Sequence, residues 1–194
     1  MLAIIGGSGL TQLANLAVER REVVRTPHGE PSGPLTFGHL CGQTTVFIAR
    51  HGYGHTIPPH EVNYCANLWA LKQAGATCIV SIASVGGIRA DLGPGAIVIP
   101  HQIIDYTWGR KSTFHEGGDA PVVHIDFTQP YDPELRQVLL AAAYVPGSRF
   151  SPTDGLTVRA CWSASDFPAG SCPNAAKATL TVVSRRYSYE YPDR

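Results

Sequence analysis

Charge is scarce in this chain. Only 15% of its 194 residues are Asp, Glu, Lys or Arg, and 15 basic and 15 acidic side chains cancel to zero with neutral histidines. There is no basic stripe to follow a phosphate backbone and no acidic tail, so nucleic acid is not an expected partner. No apolar run reaches the roughly 18 residues of a membrane span, so no membrane contact is expected. The N-terminus has neither a basic n-region nor a long apolar h-region, so no signal peptide is expected. The five cysteines (Cys41, Cys65, Cys78, Cys161 and Cys172) contain no C-x-x-C pair. A zinc knuckle is therefore disfavoured, and the odd count suits reduced thiols in the cytoplasm.

What is present is apolar and punctuated. Hydrophobic residues make up 44%, enough for one domain with a sizeable core, and the low charge suits a chain that also buries surface in an oligomer. Apolar runs predict strands at Leu2–Ile5, Thr44–Ala49, Cys78–Ala83 and Ala96–Pro100, the last one extended by Gln102–Asp105. The spacing of Val62, Ala66, Trp69 and Ala70 predicts a helix over Glu61–Ala74, stopped by Gly75. A second helix is expected over Pro133–Ala143 with Leu135, Val138 and Leu139 inward. Strands alternating with helices argue an α/β layer fold with some parallel pairing. Residues 1–150 read as one domain and 151–194 as an atypical tail, turn-rich, with one plausible strand at Leu180–Val183 in a late hairpin.

Three strand ends carry candidate chemistry. In "MLAIIGGSGL" a strand runs directly into Gly6-Gly7-Ser8-Gly9, where backbone N–H groups and a hydroxyl can converge on an anion; an ordinary tight turn explains the same residues. The pattern is not G-x-G-x-x-G and lacks a Walker lysine, which disfavours a dinucleotide or P-loop site. Arg50-His51 follow the second strand, where open α/β sheets place ligands, and arginine offers a permanent planar fork for phosphate. Ser84 precedes Gly86-Gly87 at the third. His51, His55 and His60 have conceivable metal spacing, but Pro58-Pro59 break any helix that would align them, so no metal is expected. Together the three ends describe an oxyanion pocket at one edge of a sheet.

The segments "GGSGL", "ARHGYGHTIPPHEVNYCANLWALKQAGA", "ASVGGI" and "PHQIIDYTWGR" resemble the purine nucleoside phosphorylase family, nearest its methylthioadenosine phosphorylase branch, over residues 1 to about 143. The resemblance implies an α/β fold with a mixed central sheet flanked by helices. It implies phosphorolysis of S-methyl-5′-thioinosine to hypoxanthine and 5-methylthioribose 1-phosphate, or alternatively of methylthioadenosine or a purine nucleoside. Ser8, Arg50 and His51 would bind phosphate, and the Ala83-Ser84 segment phosphate and ribose. His124, in "VVHIDF", would reach into a neighbouring subunit's site in a homotrimer. Phosphate would be a co-substrate, with no cofactor and no metal.

The chain also departs from the family. Cys65 stands where the family has arginine or glutamine. The family's Thr-x-Gly-Pro-Arg-x-Glu-Thr and Met-Thr-x-x-Pro-Glu segments and its late purine-holding Asp have no counterpart after residue 143, so no catalytic residue is assigned. The tail reads as a shifted frame or a truncation, expected from about residue 156 to leave apolar surface uncovered. The alternative of another class is a non-catalytic phosphate-binding or oligomerising remnant.

Overall fold

The computed structural model describes residues 1–87, 92, 95–109, 111, 113–115, 118 and 121–143, together with the backbone of 157–160 and 174–184. Four strands come first: β1 (Leu2–Gly6), β2 (Leu16–Glu22), β3 (Leu35–Leu40) and β4 (Gln43–Ala49). Helix α1 (Tyr64–Gln73) and β5 (Cys78–Gly87) follow, then β6 (Ile97–Val98), β7 (Gln102–Asp105), α2 (Pro133–Ala143), β8 (Thr157–Ala160) and β9 (Asn174–Ser184). Seven strands form one mixed sheet in the order β2-β3-β4-β1-β5-β9-β6, and β7 pairs with β8 in a separate ribbon.

The sheet centres on β1, which runs parallel to β4 on one side and to β5 on the other, with Gly6 opposite Ala49 and Ile5 opposite Ser81. A central parallel strand is covered on both faces, which is why Leu2–Ile5 is apolar throughout rather than alternating. Ala3 and Ile5 pack with Leu35, Val46 and Ile48 beneath Ala70 and Leu71 of α1, whereas Ile4 packs with Leu16, Phe47 and Ala49 on the opposite face. This is the strand period of two realised in the core.

Helix α1 is shorter than its apolar pattern. It begins after Asn63, whose side chain accepts from the Ala66 N–H at 3.0 Å, an N-cap that places Glu61 and Val62 outside. At its other end Gly75 has φ +84° and donates to the Lys72 carbonyl, a left-handed stop. Two asparagines, the cap and one inside α1, hold the segment before β3. Asn63 donates to the His28 carbonyl (2.7 Å), and Asn67 bonds both the N–H (2.7 Å) and the hydroxyl (2.9 Å) of Ser32.

Other expectations are revised. The β2–β3 hairpin has no signal in the sequence, because β2 is an edge strand whose LAVERRE sequence is exposed beyond Leu16. Strand β5 runs on past Ser84 to Gly87, and Gln102–Asp105 pairs with β8 instead of extending β6. Helix α2 has the expected bounds, but none of its side chains is buried and Val138 is 62% exposed. It is anchored by its polar side instead: Arg136 Nε donates to the Pro100 carbonyl at 3.0 Å. The strand expected at Leu180–Val183 lies within β9, and among the described residues it forms no hairpin with β8 but runs antiparallel to β5 and parallel to β6. The side-chain packing expected of the tail, with Cys161 and Cys172, falls outside the described residues.

Candidate oxyanion site

The carboxyl ends of β4, β1 and β5 lie side by side, and five of the six expected site residues meet there. The first wall is a turn. Leu10 N–H donates to the Gly7 carbonyl (3.0 Å) with Gly9 at φ +82°, the position of a type II turn that favours glycine, and Ser8 projects from its exposed corner. Gly7 is glycine for a different reason. A Cβ there would collide with the Ile82 carbonyl oxygen and come within 2.5 Å of Arg50 Nη2. The guanidinium thus lies directly against the backbone of the turn.

Arg50 leaves the end of β4, its N–H bonded to the Gly6 carbonyl at 2.9 Å. Its Nη1 reaches across β1 to Ser81 Oγ at 3.4 Å on β5. Ser81 and Ala83 share one face of β5, and these small side chains leave room for the fork. Ser81 is a site residue that sequence reasoning missed. The signal that could have found it is the strand period of two, since Ser81 lies two residues before Ala83 in "CIVSIAS". Among the described residues Arg50 has no carboxylate partner, and burial pulls its guanidinium below the ordinary arginine range against the opposing effect of Tyr64. A buried cation among neutral groups is costly and is offset best by an anion.

His51 is 7% exposed. Its Nδ1 donates to the Ile57 carbonyl at 2.8 Å, so the ring is held as the Nδ1–H tautomer, and Nε2 faces Arg50 Nε at 3.5 Å as an acceptor. Burial, followed by the charges of Arg50 and His55, lowers its pKa from the ordinary histidine value, against the opposing effect of the Ile57 bond. His55 stands with its ring 5.0 Å from that of His51 and a left-handed φ of +53°. Ser84 Oγ donates to the Ser8 carbonyl at 3.0 Å and so ties the end of β5 to the turn. His124 stands apart, in the exposed 121–127 segment. Among the described residues no three His, Cys, Asp or Glu side chains are grouped to hold a metal ion, and no helix is long and apolar enough to cross a membrane.

Known proteins resemble this chain in sequence and in fold. It is 50% identical over 146 residues to a probable S-methyl-5′-thioinosine phosphorylase of Xanthomonas campestris pv. campestris, a match covering 75% of this chain and 58% of that protein. It is 42% identical over 156 residues to the 6-oxopurine nucleoside phosphorylase of Pyrococcus furiosus, covering 78% and 58%. A methylthioadenosine phosphorylase from Schistosoma mansoni, solved in complex with adenine, superposes with a TM-score of 0.67 at 40% identity over 73% of this chain and 52% of that one. The chain therefore spans about three fifths of the length of the curated relatives it matches. A family model described as the phosphorylase superfamily matches residues 1–163, a stretch that contains every strand end of the site, and the chain belongs to that superfamily.

Proposed function

We propose that the chain catalyses phosphorolysis of S-methyl-5′-thioinosine, giving hypoxanthine and 5-methylthioribose 1-phosphate, with inorganic phosphate as co-substrate and no cofactor. The observation that carries this reading is the buried Arg50 guanidinium, without a carboxylate partner among the described residues, laid against the Gly7 backbone at the carboxyl edge of three parallel strands. Phosphate would lie against Ser8, Arg50 and His51, with the Ala83-Ser84 segment beside phosphate and ribose. A phosphate oxygen forms the new bond to the anomeric carbon as the bond to the purine nitrogen breaks, and that bond's electron pair leaves with the base. The protein's part is placement and charge.

The named relatives favour a 6-oxopurine, and methylthioadenosine is the runner-up substrate. The reading includes a homotrimer in which His124 completes a neighbour's site; the exposed Val122, Ile125 and Phe127 beside it support a buried subunit contact. It also places the protein in the cytoplasm, where the free thiols Cys41, Cys65 and Cys78 stay reduced. A second reading, a phosphate-binding remnant without turnover, is favoured by the atypical sequence of residues 151–194. Hypoxanthine release from S-methyl-5′-thioinosine, followed by absorbance with and without phosphate, separates the two. Phosphate-dependent release supports the enzyme, and saturable phosphate binding without release supports the remnant.

A further inference from the structure

We propose that Ser81 is a positioning residue for phosphate binding: its hydroxyl steers the Arg50 fork across β1 while leaving the fork's charge unspent for an external anion. This role rests on the phosphate-site reading above and concerns what keeps the cation of that site available.

Strand register brings the two residues together. Arg50 follows β4, and its N–H bonds the Gly6 carbonyl at 2.9 Å. Ile5, one residue before Gly6, lies opposite Ser81 on β5. Side chains alternate along β5. Ile82 packs with Ile4 and Phe47 on one face of the sheet, and Ile79 packs with Ala3 and Ile5 on the other, so Ser81 shares the face of Ile79 and Ala83. From Cys78 to Ala83 only Ser81 carries a hydroxyl.

Among the described residues three contacts hold the guanidinium. Nε donates to His51 Nε2 at 3.5 Å, Nη1 donates to Ser81 Oγ at 3.4 Å, and Nη2 lies against Gly7, where a Cβ would stand 2.5 Å away. Both hydrogen bonds are long and neither acceptor is a carboxylate, so they aim the fork without neutralising it. The cost of burying the cation is therefore left for a ligand to offset. Residue 81 sets this balance. An apolar strand residue there would leave Nη1 without its acceptor. An aspartate, one atom longer, would close the 3.4 Å gap to the about 2.7–2.9 Å of a charge-assisted bond and spend the charge inside the protein.

Titration calorimetry with sodium phosphate and urea unfolding, both on the whole chain, test this in Ser81→Ala and Ser81→Asp. Ser81→Ala should weaken phosphate binding about three- to tenfold. Ser81→Asp should weaken it about tenfold or more, yet unfold at the same or a higher urea concentration than the unsubstituted chain, because the new carboxylate pairs with Arg50. In an Arg50→Ala background Ser81→Asp should instead lower the urea midpoint, since the carboxylate is then left without its partner. A merely structural position would lose affinity and midpoint together. Unchanged phosphate affinity in either variant would overturn the proposal and leave the phosphate site standing. So would a midpoint that Ser81→Asp lowers equally with and without Arg50. Where Ser81→Asp does not fold at all, the affinity of Ser81→Ala decides. Absence of phosphate binding in the unsubstituted chain would overturn the phosphate-site reading, and the proposal with it.

Discussion

Two stretches of this chain both carry apolar side chains and differ in what covers them. In the first, β1, β3, β4 and α1 bury Leu35, Val46, Ile48 and Leu71 completely. In the second, residues 102–143, Trp108 is 76% and Val122 77% exposed, and α2 leaves every side chain half-buried or exposed. The proposed oxyanion site lies on the ends of the strands that make the first stretch and on β5 beside them. An arginine can be held without a carboxylate only where the surrounding backbone is rigid enough to keep the groups around it in place. His124, expected to act in a neighbour's site, sits on the second.

Paired substitutions put the contrast to the test. Leu71→Ala should cost about 2–5 kcal/mol, because the lost side chain leaves a cavity between α1 and the sheet. Val138→Ala on α2 should stay within about 0.5 kcal/mol. Urea unfolding of the two variants measures both, and equal losses would show that the second stretch is packed as the first is. Arg50→Ala should weaken phosphate binding by about 1.5–3 kcal/mol, roughly ten- to a hundredfold, by removing the fixed charge. Titration calorimetry reads this directly, and unchanged affinity would move the anion elsewhere.

Asn63→Ala should cost about 1 kcal/mol as the α1 N-cap is lost, together with the bond to the His28 carbonyl. A loss confined to thermal stability, with phosphate affinity unchanged, would show that the cap serves the core rather than the site. The smallest effect is in pH. The folded His51 binds its proton less readily than the unfolded chain, so stability is full above the ordinary value of 6.5 and falls as the pH drops through it toward the lowered folded value. His51→Gln should flatten that part of the urea-midpoint profile, and an unchanged slope would assign it to another group.

Much of this is legible along the chain. The strand–turn at Leu2–Gly9, the strand ending at Arg50, the helix stopped by Gly75 and the bounds of α2 all follow from local signals: apolar runs, glycine at turns, and period. The β2–β3 hairpin does not, because an exposed edge strand rich in arginine and glutamate carries no apolar alternation. The inward face expected for α2 is met only in part, with Leu135 and Leu139 half-buried and Val138 exposed, since a helical period marks which residues could be buried and not how fully anything covers them.

Local chemistry and conformation, written residue by residue, set the side-chain types at three strand ends, the family they belong to, and the preference for glycine at Gly9. The position of β1 between β4 and β5 comes from the folded chain alone, because strand order depends on pairings between residues far apart in the sequence. That order lays Arg50 across Gly7 to Ser81, and the return of the chain at Ile57 settles which nitrogen of His51 carries the proton.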